Sequence, residues 1–155
     1  KGIFVRALKF LLNIQQGAPA RRLNWTMTVN PLLETTPEND HKWGVQKTTL
    51  TPENVGARQH LRVELQTFFR LPRSNALVFP IRCYLIALQD VVSTPKWGRR
   101  LHRVLRDVPV ELATYKGFID NRPMIVDYLS QFDDGLPTSD GIWPDLDSEP
   151  PLQKG

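Results

Sequence analysis

The chain of 155 residues is poor in cysteine and histidine, and it contains no long apolar run. Its single cysteine, Cys83, excludes an internal disulfide and any metal site built from several cysteines. No apolar segment approaches the roughly 20 residues that a membrane-spanning helix needs. The sequence also has no phosphate-binding glycine loop, no nucleophile elbow and no paired-histidine spacing for zinc, so the standard catalytic motifs are missing.

The overall composition is that of an ordinary globular domain. Hydrophobic residues make up 41% and charged residues 23% of the chain, which excludes wholesale disorder and fits one domain with its own core. The single cysteine favours a reducing compartment, so we expect an intracellular, cytoplasmic protein. Because the chain begins with Lys1 rather than methionine, we interpret it as a fragment or processed product, and an upstream targeting segment stays an open alternative.

Charge is distributed unevenly along the chain, whose net charge is +4. Residues 133–155 carry six acidic residues against Lys154 alone and are rich in proline. We therefore expect a flexible acidic tail, with at most Ile142 or Trp143 docked on the body. Residues 1–132 form the predicted domain, which is basic. No interleaving of aromatic and basic residues of the kind that binds single strands appears, so no nucleic acid is expected as a partner.

Hydrophobic periodicity predicts a β-hairpin in the middle of the chain. Residues 61–71 alternate between apolar and polar side chains, and the nearly all-apolar residues 76–88 predict a second strand with both faces covered. Residues 72–75 form the predicted turn, and Pro80 marks a bulge or an edge because proline cannot donate to the ladder. Residues 24–29 predict a third, shorter strand.

Helical spacing of apolar residues predicts helices at both ends of the chain. We expect one helix over residues 2–15, another over 97–108 and a short one between Pro109 and Gly117. A last helix, capped by Asp120 or Asn121, is expected to extend to about Phe132. Residues 30–57 are expected to be largely irregular. These elements predict an α+β domain, an antiparallel sheet with flanking helices.

The predicted helix over residues 97–108 carries a row of basic side chains opposite its apolar stripe. We expect this row and His102 to be exposed to solvent. The leading interpretation is a solvated basic surface, and the alternatives are a row that binds a nucleic acid or one that docks an acidic electron-transfer protein. The basic residues are Arg99, Arg100, Arg103 and Arg106.

The polar side of the strand over residues 61–71 is the main candidate site. It carries Arg62, Glu64, Gln66 and Arg70. One interpretation is a solvent-facing surface with paired charges; the other is the wall of a ligand pocket, where guanidinium and carboxylate groups bind a small molecule. Among the three histidines, His41 is the best candidate to ligate a metal or haem iron.

Four segments resemble the haem-dependent oxidative N-demethylase-like family. They are residues 21–25 (RRLNW), 61–76 (LRVELQTFFRLPRSNA), 81–84 (IRCY) and the pair Tyr115-Lys116. The resemblance covers about residues 4–130, and the hairpin segment is long enough to be specific. The sequence departs from the family pattern at Leu65, Asn75 and Pro80.

The resemblance implies a haem-binding fold of the PAS type, incomplete at its N-terminus because the family domain begins upstream of Lys1. It implies oxidation of a small secondary amine, dimethylamine, with dioxygen at the haem iron. Electrons from NADPH would arrive through reductase partner subunits that carry flavin and an iron–sulfur cluster. A truncated or inactive member, or a non-catalytic PAS-like sensor of haem or another small ligand, is the alternative.

The resemblance also implies roles for individual residues. Arg62 and Glu64 would be catalytic, polarising bound dioxygen and orienting a cationic amine. His41 is a guess for the axial ligand of the iron. Contacts with the cofactor are expected from Gln66, Arg70, Arg73 and Tyr84.

Overall fold

The computed structural model describes residues 2–94 and 96–138, which form short helices around a small sheet. Two 3₁₀ helices, Pro37–Asn39 and Gly44–Thr49, flank the second α-helix. In chain order the elements are α1 (Gly2–Leu12), β1 (Ala20–Val29), α2 (Asp40–Trp43), α3 (Val55–Arg58), β2 (Gln59–Arg70), β3 (Leu77–Val78), β4 (Ile81–Ala87), α4 (Leu88–Val92), α5 (Trp97–Asp107), α6 (Val110–Tyr115) and α7 (Arg122–Ser130).

The sheet is antiparallel throughout, with β2 at its centre. β1 pairs along one side of β2, and β3 and β4 pair with successive parts of its other side. The register places Asn24 of β1 and Cys83 of β4 on either side of Glu64. The α+β prediction is therefore confirmed, whereas the PAS-type label stays a prediction.

One face of the sheet and the C-terminal helices enclose the hydrophobic core. Met27 and Leu61 from the sheet pack with Leu105 of α5 and with Ile125 and Leu129 of α7. The three helical residues are completely buried, as the apolar spacing of these helices predicts. Within the described ranges, the structure contains no helix with the length and apolar character to cross a membrane.

The apolar segment over residues 76–88 does not form one covered strand. It is divided at Phe79–Pro80 into β3 and β4, and Leu88 already belongs to α4. Pro80 lacks an N–H and so interrupts the ladder, although its carbonyl still accepts a bond from the Thr67 N–H at 3.1 Å. The expectation that both faces are covered was wrong, because Ile81, Tyr84 and Ile86 of β4 are exposed.

The basic row on α5 is also less exposed than expected. Arg99 is only 2% exposed and His102 is buried. The reason is that the chain after α7 folds back onto α5: Asp133 lies 2.8 Å from His102 Nδ1 and accepts a bond from Arg103 Nε at 2.9 Å, and Asp134 accepts one from Arg99. Residues 133–138 of the predicted tail thus contact the body, and residues 139–155 lie outside the described residues.

Candidate functional site

The polar side of β2 is buried rather than exposed to solvent. Arg62 is 6% exposed and Gln66 is 5% exposed, as little as the core residues on the opposite face. The interpretation as an ordinary solvent-facing surface is therefore wrong. Alternation brings Arg62, Glu64 and Gln66 to one face, and the register adds Arg22 and Asn24 from β1.

Arg62 is held by partners from three different segments. Its Nε donates to Glu64 Oε1 at 3.1 Å, and its Nη1 donates to the carbonyls of Leu32 and Leu33 at 3.0 and 2.9 Å. Its Nη2 lies 3.0 Å from Cys83 Sγ. Burying a guanidinium group is costly unless its donors are satisfied, and the loop after β1 satisfies two of them with backbone oxygens. The loop after β1 thus covers this end of the face.

Glu64 is the centre of the polar face and accepts hydrogen bonds from three side chains. Besides Arg62, these are Asn24 Nδ2 at 3.2 Å and Gln66 Nε2 at 3.0 Å, both to Oε2. Burial alone raises the pKa of Glu64, but the hydrogen bonds from Asn24, Arg62 and Gln66 together lower it below its usual value. Glu64 is therefore a charged carboxylate at neutral pH.

Two further cations complete this cluster. Arg22 Nε donates to Gln66 Oε1 at 2.6 Å, and Lys116 Nζ donates to Asn24 Oδ1 at 2.7 Å and to the Trp25 carbonyl at 2.6 Å. Burial lowers the pKa of Lys116; the charge of Glu64 opposes this shift and that of Arg22 adds to it. We call the cluster the Glu64 network; its members are Arg22, Asn24, Arg62, Glu64, Gln66 and Lys116.

The Glu64 network contains three basic side chains and one carboxylate. Its excess positive charge suits an anionic ligand group better than the cationic amine expected from sequence alone. Sequence reasoning did not select Arg22, Asn24 or Lys116 as site residues. All three lie in segments that resemble the family, residues 21–25 and the pair Tyr115-Lys116, and this was the signal that could have found them. Lys116 reaches the network from the end of α6 through tertiary contact.

A cavity of about 420 Å³ lies beside the network, between α1 and the sheet. Phe68 stacks on Phe79 with ring centroids 4.3 Å apart and meets Phe10 edge-on at 5.5 Å. The Arg22 guanidinium lies 5.7 Å from the centroid of the Phe68 ring. We call this the arginine–aromatic cavity; its lining is Arg6, Ala7, Phe10, Leu11, Arg22, Phe68, Leu77 and Phe79.

The other residues expected at the site lie apart from the network. Arg70 fastens the end of α1, because its Nε donates to the Ile14 carbonyl at 2.6 Å and its Nη2 to the Leu11 carbonyl at 3.1 Å. Arg73 is exposed in the turn after β2. Tyr84 projects from the opposite face of the sheet, since it is paired with Val63.

His41, expected as a ligand of iron, is exposed on α2 and does not line the arginine–aromatic cavity. No histidine, cysteine, methionine or tyrosine is among the residues that line this cavity. In the described part of the chain, no three His, Cys, Asp or Glu side chains are grouped to hold a metal ion. The cavity thus fits the periphery of a haem group, aromatic rings against the macrocycle and guanidinium groups for its carboxylates, and we assign no axial ligand.

Comparison with known protein families identifies a match over most of the chain. Residues 5–126 match the family described as haem-dependent oxidative N-demethylase, alpha subunit-like. The matched stretch runs from α1 into α7 and includes all six residues of the Glu64 network and the whole lining of the arginine–aromatic cavity. Since the match extends over most of the chain, this protein belongs to the haem-dependent oxidative N-demethylase alpha subunit-like family.

Proposed function

We propose that this chain forms the haem-binding part of an enzyme that oxidatively removes a methyl group from a small secondary amine. The observation that carries the proposal is the excess of positive charge at the junction of the Glu64 network and the arginine–aromatic cavity. Arg62 is buried, Lys116 is half-buried and Arg22 is exposed where it lines the cavity. Cations in excess of carboxylates attract an anion, and haem carries two carboxylates on one edge of a flat apolar ring. Family membership supports the same cofactor.

Arg22 and Arg6 are the residues we propose to hold the haem carboxylates, since both line the cavity. Guanidinium groups bind carboxylates through paired, charge-assisted hydrogen bonds. Phe10, Phe68 and Phe79 would pack against the macrocycle. Gln66 would act through Arg22, because its Oε1 accepts a hydrogen bond from Arg22 Nε at 2.6 Å. When bound, haem supplies the redox chemistry by which dioxygen oxidises the amine.

Arg62 and Glu64 are the proposed catalytic pair. A carboxylate offers about four acceptor positions, and Glu64 uses one on Oε1 for Arg62 and two on Oε2 for Asn24 and Gln66. One position therefore remains for a protonated amine. The haem carboxylates would be held by Arg22 and by Arg6, which lies outside the network. Glu64 would then be free to orient the ammonium group of the substrate. Arg62 fixes the carboxylate and is proposed to polarise dioxygen.

The remaining parts of the proposal follow from the family alone. Its description names an alpha subunit, so we propose that separate partner subunits deliver electrons from NADPH through flavin and an iron–sulfur cluster. The resemblance also suggested Arg70, Arg73 and Tyr84 as cofactor contacts and His41 as the axial ligand. None of the four lines the arginine–aromatic cavity, and the present proposal does not use them.

Titration of the full chain with haemin, followed by its visible spectrum, tests the cofactor assignment. We expect a Soret band to develop as haemin is added to the unmodified chain. Arg22→Gln should raise the haemin concentration at the midpoint of the titration about tenfold, or about 1.4 kcal/mol of binding free energy. Arg21→Gln is the matched control, because Arg21 is the exposed neighbour on the opposite face of β1. Added dimethylamine should then shift the Soret band, and Glu64→Gln should weaken that shift.

Two results would contradict the proposal. One is a folded chain, verified by circular dichroism, that gives no Soret band with excess haemin. The other is an equal loss of affinity in Arg21→Gln and Arg22→Gln, which would show a nonspecific effect of charge. Tight haem binding with no spectral response to any small amine would favour the non-catalytic haem-binding module instead.

A further inference from the structure

A second cavity lies on the face of the sheet opposite the Glu64 network. It has a volume of about 340 Å³, is lined almost entirely by apolar atoms, and runs between α5 and the β1–β2 pair. Leu23 and Val104 at its rim are 71% and 52% exposed, so the rim presents apolar surface to solvent. We call it the α5 groove; its lining is Leu23, Asn24, Trp25, Leu61, Val63, Trp97, Arg100, Leu101 and Val104.

The described part of the chain that follows α7 ends at the rim of this groove. Asp133 and Asp134 are fastened to α5 by the charged bonds described above, and the Thr138 carbonyl accepts a bond from Arg100 Nε at 3.0 Å and a second one from Arg100 Nη2. Arg100 and Val104 line the α5 groove and also lie beside Thr138. The last described residue of the chain is therefore adjacent to the groove.

The sequence after Thr138 reads SDGIWPDL, so the first large apolar residues are Ile142 and Trp143. Four or five residues of extended chain span at most about 13–18 Å, enough to reach across a groove that begins next to Thr138. Both the reach of this segment and its apolar character fit the groove.

We propose that Ile142 and Trp143 of this chain's own C-terminal segment occupy the α5 groove. A tryptophan side chain covers about 150–250 Å² of surface when buried, and the groove supplies Trp25, Trp97 and Leu101 as its partners. The segment would then run from α7 along α5 to the β1–β2 pair and cover the groove. The groove and the network lie on opposite faces of the sheet and share Asn24, and the inference does not rest on the proposed function.

Nuclear magnetic resonance on the full chain tests the contact directly. The indole signal of Trp143 is assigned with Trp143→Phe, and we expect nuclear Overhauser effects from its ring to the methyl groups of Leu101 and Val104. They should persist on tenfold dilution, because the contact is within one chain. Val104→Glu should abolish them and move the indole signal to the position of a free indole, whereas Val110→Glu, at an exposed valine on α6, should change neither.

A second measurement uses an apolar dye on the same full chain. Trp143→Ala should empty the groove and raise binding of anilinonaphthalene sulfonate several-fold, while Leu152→Ala in the same segment should not. The absence of Trp143 contacts in the unmodified chain, or equal dye binding by both alanine variants, would overturn the proposal. Contacts that disappear on dilution would also overturn it and assign the groove to a second copy of the chain.

Discussion

Both faces of the central strand β2 carry buried side chains, but different forces keep them from water. On the core face, Met27 and Leu61 are buried by apolar contact with α5 and α7. On the opposite face, Arg62 and Gln66 are just as buried, and hydrogen bonds to side chains and backbone carbonyls satisfy them there. The comparison shows that burial is no measure of how a surface is stabilised.

The two kinds of burial respond differently to change. Apolar contact is not directional, so the core face tolerates small shifts and is insensitive to pH. A buried polar cluster is stable only while each donor and acceptor keeps its partner, and the loss of one member leaves the others unsatisfied. Single substitutions and changes of pH should therefore separate the two faces.

The largest effect is expected from removing the cation at the centre of the polar face. Arg62→Leu leaves the Glu64 carboxylate and the carbonyls of Leu32 and Leu33 without their donor. We expect a loss of about 3–5 kcal/mol in the free energy of unfolding, measured by urea denaturation. Arg73→Leu, the same substitution at an exposed position of the same hairpin, should cost less than about 0.5 kcal/mol. A loss below about 1 kcal/mol for Arg62→Leu would show that its bonds contribute little.

A smaller, pH-dependent effect is expected from Glu64→Gln. The amide retains one acceptor oxygen and places an NH₂ group where donors already converge, so we expect a loss of about 1–3 kcal/mol at pH 7. The folded-state pKa of Glu64 is lowered, so its contribution is present above the unfolded-state pKa of about 4.3 and is lost as the pH falls through the lower folded-state pKa. The difference between wild type and Glu64→Gln should therefore shrink on acidification below about pH 4.

The control for this pH effect lies on the same strand and the opposite face. Leu61→Ala should cost about 2–5 kcal/mol at neutral and at acidic pH alike, because no titrating group is involved. If the Glu64→Gln difference is as constant with pH as that of Leu61→Ala, the carboxylate does not contribute through its charge.

The smallest effect is expected at Tyr84, which lies on the face away from the network and is 47% exposed. Tyr84→Phe keeps the ring that the Arg82 guanidinium approaches at 5.3 Å. Stability should change by less than about 0.5 kcal/mol, and the haemin titration should be unchanged. A clear fall in haemin affinity would make Tyr84 a cofactor contact after all and would weaken the assignment of the cofactor to the arginine–aromatic cavity.

Much of the fold follows from local pattern. The alternation over residues 61–71 predicts β2, and the apolar spacing after Trp97 and after Asn121 predicts α5 and α7. The break at Pro80 was anticipated as a bulge or edge. What the pattern could not predict is the exposure of β4: an apolar composition is the same for a covered strand and for one with an open face.

The candidate site was only partly predictable for the same reason. Period-two alternation places Arg62, Glu64 and Gln66 together on one face, as the structure shows. It does not say whether that face meets water, because the carbonyls that bury Arg62 come from residues about thirty positions earlier in the chain. Lys116 joins from more than ninety positions beyond Asn24, at a distance no local pattern encodes.

The sequence by itself determined which residues share a strand face, where the hairpin turns, and that a carboxylate stands between basic residues. Only the tertiary structure decided that this face is buried, that three cations surround one carboxylate, and that an aromatic cavity adjoins them. The physical reason is the range of the forces. Backbone sterics and side-chain periodicity act between neighbours in the chain, whereas desolvation and hydrogen bonding depend on whichever distant segment covers the surface.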